Sequence, residues 1–169
     1  MANPKTIPYD EAIHAASQPK AWAGGAVIAW RSPSSRRFPA PFRFRAALEV
    51  NGSVAEGWFV DLYFKRSRIP GARDTLSMVL IVNNARIIAI DDNGPSVHVN
   101  TVGAGLPFFQ KEIDHPHLHI PVPDSSEGYA EPLDSTTVQV MWRLFLEKAN
   151  ISGAPPLELP EQGQMEISL

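Results

Sequence analysis

Between Phe42 and Lys65 the side chains change character at nearly every step, and this alternation limits the fold more than any other feature of the chain. Phe42, Phe44, Ala46, Leu48 and Val50 alternate with Arg43, Arg45 and Glu49. Trp58, Val60, Leu62 and Phe64 then alternate with Asp61, Tyr63 and Lys65. Successive side chains on an extended chain point to opposite faces, so each run reads as a half-buried strand. Between them stands Asn51-Gly52, a pair that tolerates the positive φ of a tight hairpin turn.

The same grammar continues downstream. Thr75 to Val82 is more uniformly apolar and predicts a central strand with both faces covered. Asn83-Asn84 makes a second turn, Ala85 to Asp91 returns, and Asp92-Asn93-Gly94-Pro95 breaks the chain. Ser96 to Asn100 reads as a short strand bearing His98. On the N-terminal side, Pro8 to Ser17 predicts a short helix with Ile13 and Ala16 on its inner face and His14 exposed. Ala21 to Trp30 reads as a glycine-weakened strand, followed by a Pro/Ser loop with Arg31, Arg36 and Arg37. From Asp134-Ser135 a helix begins, with Val138, Met141, Trp142, Phe145 and Leu146 on one stripe. The predicted architecture is α+β: an antiparallel β-meander sheet covered by this C-terminal helix and the short N-terminal helix. Residues 1–151 form the expected single domain, and residues 152–169 a Pro-rich, mobile tail.

Composition narrows the chemistry. The chain has 169 residues, no cysteine and a formal net charge of -3. Thiolate metal sites and disulfides are excluded, so a zinc ion would need imidazole and carboxylate ligands. The net charge provides no general attraction for nucleic acid, which would require a local basic patch. The N-terminal stretch lacks the charged-then-apolar layout of a signal peptide, and no apolar run approaches the roughly 20 residues of a membrane span. A cytoplasmic protein without membrane contact is the expectation.

The segment Asp114-His-Pro-His-Leu-His-Ile120 holds His115, His117 and His119, three of the five histidines. Pro116, Pro121 and Pro123 forbid a helix there and suggest an edge or irregular strand. Residues two apart then share a face, His98 lies in the preceding segment, and Asp91 or Asp92 ends the strand before it. Three readings stay open. The imidazoles can ligate a single divalent metal such as zinc or manganese, with His98, His117 and His119 as ligands and an open position for water. Without a metal, they can move protons in RNA cleavage, with Arg86, Lys65 or Arg66 stabilising the phosphorane charge. Or they decorate a solvated edge.

The order of motifs from Asp91 to Ile151 resembles a family of small uncharacterised proteins of bacteria and prophages. It runs Asp91, Gly94, His98-Val99-Asn100, His117-Leu118-His119-Ile120, Glu127-Gly128, Ala130-Glu131-Pro132-Leu133 and Asn150-Ile151. Trp58-Phe59-Val60-Asp61 is similar to an upstream strand of that family, and the Asp…His-x-His arrangement is distantly similar to TumE-like toxins of toxin–antitoxin pairs. Ala89 stands where that family has an arginine, which leaves Arg86 to serve as an anion binder from the same strand. The resemblance implies a site of His98, His117, His119 and Asp91, with His115 a bystander. Arg86, Lys65, Asn100 and Glu127 are the residues assigned to substrate. Asn100 could instead orient a histidine or cap a turn, and Glu127 could equally cap a turn.

Together these readings point to a toxin-like nuclease cleaving RNA, with the histidines sharing acid and base duties. The expected partners are RNA, a cognate protein and a second copy of the chain. The alternative is a non-enzymatic mobile-element accessory or antitoxin-like module binding a partner through the arginines of Arg31 to Arg45 and the histidine strand. A small-molecule pocket in a curved sheet is the third.

Overall fold

The computed structural model describes residues 6–32, 39–94, 97–134 and 136–160. Arg36, Arg37, Ser96 and Ser135, like positions 161–169 of the expected tail, lie outside the described residues. Two tight turns set the register at the centre of the sheet. Asn51 and Gly52 have φ of 53° and 82° and join β2 (Phe42–Val50) to β3 (Ser53–Lys65). Asn83 and Asn84, at 51° and 68°, join β4 (Thr75–Val82) to β5 (Ala85–Asp92). Left-handed backbone at both central positions matches the twist of the flanking strands, so these pairs hold each hairpin in register.

Around this centre the sheet extends both ways. β1 (Lys20–Trp22) lies beside β2, and β10 (Ile151–Ser152) closes that edge as the parallel partner of β1. On the other side β8 (His117–Val122) pairs with β5, and β9 (Ser125–Pro132) forms the far edge. The sheet is eight-stranded, in the order β10-β1-β2-β3-β4-β5-β8-β9. β6 (His98–Val99) and β7 (Glu112–Ile113) form a separate two-stranded sheet within the connection from β5 to β8.

Both helices pack on one face of the sheet, and the other face is covered only at its β8–β9 end, by the β6–β7 connection. Ala46, Val60, Met78, Leu80 and Leu118 are buried in one cluster with Ala12 and Ala15 of α1 (Tyr9–Ser17) and Met141, Trp142 and Phe145 of α2 (Val138–Lys148). Burying a large apolar side chain contributes roughly 1.5–3 kcal/mol, so this face carries most of the stability. The opposite face is free to be polar. No helix among the described residues is long and apolar enough to cross a membrane.

Several expectations change. Ala12 and Ala15, not Ile13, form the inner face of α1; Ile13 is exposed, as is His14. The strand expected over residues 21–30 ends at Trp22, because at Gly24 a Cβ would come within 2.6 Å of the Ala46 Cβ and Gly25 takes a φ of 91°. The histidine segment is not an edge: β9, which went unpredicted, covers it. Its ladder shifts register between Ile120 and Val122, around Pro121, which has no N–H to donate. β4 is central but not covered on both faces, since Ser77, Val79 and Ile81 line an open groove. α2 starts three residues after Ser135, with Thr137 Oγ1 accepting from Val140 N at 3.2 Å. Beyond β10 the chain stays tied down to Pro160: Leu157 is buried, and the Trp142 and Trp30 indoles donate to Pro155 O (2.9 Å) and Glu158 O (2.7 Å).

Lys20 joins the two helices. Its side chain is buried, and Nζ donates to Ala16 O (3.2 Å), Gln18 O (2.5 Å) and Ala149 O (2.6 Å), the carbonyls that end α1 and α2. Helix C-termini carry partial negative charge and unpaired carbonyls, so a cation there satisfies both ends at once. Burial lowers its pKa to about 8, still high enough to leave it charged at neutral pH. Lys20→Met should lower unfolding free energy in urea by about 2 kcal/mol, because the carbonyls lose their donor.

Candidate functional site

The uncovered face is organised in cross-strand rows. Arg43, Tyr63, Ser77, Asp91 and His117 stand opposite one another across β2, β3, β4, β5 and β8. The neighbouring row is Arg45, Asp61, Val79, Ala89 and His119. Directly opposed residues share a face, so both rows line one groove, of about 1140 Å³. Its β8 end holds His98, His115, His117 and His119 beside Asp91; its β2 end holds Arg31, Arg43 and Lys65.

Two irregularities bring in side chains that plain alternation would turn away. Arg86 and Asp91 are an odd number of residues apart, which in a regular strand puts them on opposite faces. Opposite Leu80–Ile81, β5 carries one extra residue: Leu80 pairs with Ile88 and Ile81 with Arg86. That bulge at Ile87 re-aims Arg86, and its Nη2 donates to Asp91 Oδ2 at 3.0 Å. In β9 the register shift spans Glu127 and Gly128. Gly128 takes a φ of 104°, conformationally open to glycine. This turns its carbonyl toward His98 and leaves Glu127 Oε1 3.7 Å from Arg86 Nη1.

The histidines converge. Ring centroids of His98 and His119 are 4.8 Å apart, those of His117 and His119 4.8 Å, and those of His98 and His117 5.5 Å. Each ring has one nitrogen committed. His98 Nε2 faces Asn100 Oδ1 (2.8 Å) and Gly128 O (3.0 Å), both acceptors, so it carries the proton. His117 Nδ1 donates to Asp114 O at 3.0 Å. His119 Nε2 donates to Asp91 Oδ2 at 3.2 Å. In the neutral rings the remaining nitrogens, His98 Nδ1, His117 Nε2 and His119 Nδ1, hold the lone pairs, and His119 Nδ1 is buried with no hydrogen-bond partner. His115 differs: its Nε2 accepts from Gly94 N at 3.2 Å.

The electrostatics follow from these contacts. Burial pushes the Asp91 carboxyl up, but hydrogen bonds from His119 and Ser77 and the Arg86 charge outweigh it and hold the group well below the usual carboxylate range. Burial pushes His117 down to about 4, helped by neighbouring His119 and opposed by the Asp114 carbonyl. A neutral imidazole is the form that binds a metal or accepts a proton.

His98, His117, His119 and Asp91 thus come together as expected. Lys65 lines the groove but toward its far, cationic end. Arg86 is committed to Asp91 and Glu127, and Glu127 lies within β9. Asn100 is fully buried, with Nδ2 donating to Phe108 O and Ala130 O and Oδ1 accepting from Ala130 N, so it positions His98 and does not reach substrate. Asp92 pairs with Arg73, which also donates to the His115 carbonyl at 3.1 Å, and Arg66 pairs with Asp74. Ser77, which donates to Asp91 at 2.6 Å, escaped the sequence reading, although one polar residue between Leu76 and Met78 signals a groove-facing position.

Asp91, His117 and His119 each offer one ligand atom within 4.8 Å of the others, a possible metal-binding triad whose third member is Asp91 and not the expected His98. The donor set suits an ion that accepts nitrogen and oxygen. Since Asp91 Oδ2 already accepts from His119 Nε2, the carboxylate is better placed to orient that imidazole than to ligate, an arrangement common behind metal-bound histidines.

The depressed His117 pKa makes stability pH-dependent with a definite sign. Between about pH 6.5 and pH 4 the unfolded chain takes up a proton that folded His117 refuses, so stability falls as the pH drops through that window. Urea unfolding at pH 7 and pH 4.5 should show wild type losing about 2 kcal/mol more than His117→Gln. The Asp91 contribution is complete above the ordinary carboxylate range and is lost only in stronger acid.

No protein-family model, curated protein or solved structure matches this chain in comparison.

Proposed function

We propose that the chain is a toxin-like ribonuclease, a phosphodiesterase whose histidine cluster holds one divalent ion, zinc or manganese. The observation that carries the reading is the set of lone pairs on His98, His117 and His119. Each is left free by a hydrogen bond on the ring's other nitrogen, and that of His119 is buried without a partner. Buried polar atoms are almost always satisfied, so an orphan among imidazoles favours a ligand role. His98, His117 and His119 would hold the ion, with Asp91 and Asn100 as the orienting groups behind them. A bound ion would supply Lewis acidity toward a phosphoryl oxygen and lower the pKa of water.

The chain's own groups supply the rest. Asp91, kept ionised by Arg86 and Ser77, fixes the His119 tautomer. Arg86 offsets the two carboxylates beside it, so an anionic phosphodiester does not meet their uncompensated charge. The cations at the β2 end draw an anion into the groove despite a net charge of -3.

Elemental analysis of purified protein should find about one divalent ion per chain, as a single-centre site requires. His119→Gln should remove it, and chelation should lower cleavage of single-stranded RNA at least about 100-fold. Cleavage that persists in chelator with no bound metal would leave acid–base catalysis by the imidazoles alone. A protein that binds RNA or a protein partner without turnover would favour the non-enzymatic module.

A further inference from the structure

The groove is much longer than the histidine cluster, and its two ends differ in chemistry. At the β2 end the Arg43 guanidinium lies over the Tyr63 ring at 4.8 Å. Among the described residues Arg43, Arg31 and Lys65 pair with no carboxylate, whereas the adjacent Arg45 is held by Asp61 through two bonds of 2.6 and 2.7 Å. Arg31 joins the same row through its backbone pairing with Arg43. Between the two ends, Ser77, Val79 and Ile81 line the groove and carry no charge. The ends are therefore separate subsites on one row: an arginine–tyrosine platform and a histidine centre.

We infer that this platform is a second recognition subsite, taking a base and phosphate several nucleotides from the scissile bond, and that the substrate is a single-stranded RNA oligomer. The inference rests on the ribonuclease reading and specifies its substrate. From Arg43 on β2 to His117 on β8 there are four interstrand steps, roughly 19 Å along the sheet at about 4.8 Å each. At about 3.4 Å per stacked nucleotide that is a span of about six, and fewer when the bases are unstacked. Tyr63 is half-buried with its ring under Arg43, the pairing of aromatic face and cation on which single-stranded bases stack without sequence preference. A duplex hides its base faces, and an acidic peptide has no use for the tyrosine platform, so both fit less well. A mononucleotide would leave one end of the groove empty.

The test uses the full chain with His117→Gln to suppress turnover and measures fluorescence anisotropy of 5′-labelled single-stranded RNA of about two to about eight nucleotides. Affinity should rise at least about tenfold as length increases to about six, then level off. Arg43→Gln should erase that length-dependent gain and reduce the slope of log affinity against log salt by about 0.7, one phosphate contact on a single strand. Lys65→Gln, at the same end, should act in the same direction, so a folding defect in one variant does not decide the matter. Affinity independent of length, a salt slope unchanged by either substitution, or equally tight binding of a glutamate-rich peptide of matched charge would overturn the inference. Hydrolysis of bis(4-nitrophenyl) phosphate by wild type tests the ribonuclease reading separately. Turnover of that small diester with flat length dependence defeats the platform alone, and length-dependent RNA binding with no turnover defeats the catalytic reading alone.

Discussion

Alternation with period two divides the central sheet into a dry face and a wet one, and everything else in the structure depends on that division. The dry face, from Ala46 through Val60 and Leu80 to Ile90, receives both helices and the bulk of the burial. The wet face receives no helix and stays open over β2 to β5, with the β6–β7 connection packed on it only at β8 and β9, so polar side chains collect there at no cost to the core. Asp91 shows how close the two regimes run: Ile90, its neighbour, is sealed in the core, while Asp91 itself opens on the groove beside Ser77 and His117. A slip of one residue in β5 would exchange them. The Asn83-Asn84 turn, tied to left-handed backbone at both positions, guards against that slip.

On the wet face, organisation comes from hydrogen bonds that use up one side of each imidazole. Asn100 is the hidden part of this arrangement. It clamps β9 through Ala130, reaches Phe108 in the loop between β6 and β7, and offers its remaining acceptor capacity to His98. His98 comes from a separate two-stranded sheet, so this buried amide and the Gly128 carbonyl hold it against the main sheet. Asp91 plays the matching part for His119, and the Asp114 carbonyl for His117. The three anchors come from different parts of the chain and leave lone pairs on neighbouring rings.

Much of this was legible in the residue order, and the parts that were not share a cause. β2 to β5 and their turns follow from alternation and Asn/Gly chemistry, both local signals. The convergence of Asp91, His117 and His119 follows from parity on neighbouring strands. β9 was hidden because Ser125-Ser-Glu-Gly has neither apolar alternation nor β-branched side chains; it is a strand because β8 offers it a ladder. The bulge at Ile87 is equally silent, as no residue type marks it, yet it decides that Arg86 meets Asp91 and not the core. Asn100 reads as a polar residue near a histidine, and only tertiary packing reveals that it is buried and fully used. Local periodicity shows which face a residue takes; partners distant in sequence decide what it touches there.

The central claim is that His98, His117 and His119, packed ring against ring, each keep one nitrogen unprotonated and free for a ligand. Long-range proton–nitrogen correlation spectra of histidine-labelled protein at neutral pH read those tautomers directly. The account predicts protons on Nε2 of His98, Nδ1 of His117 and Nε2 of His119, with the other nitrogen of each ring shifting when zinc is added. A proton on His117 Nε2, or rings whose free nitrogens ignore the metal, would contradict it.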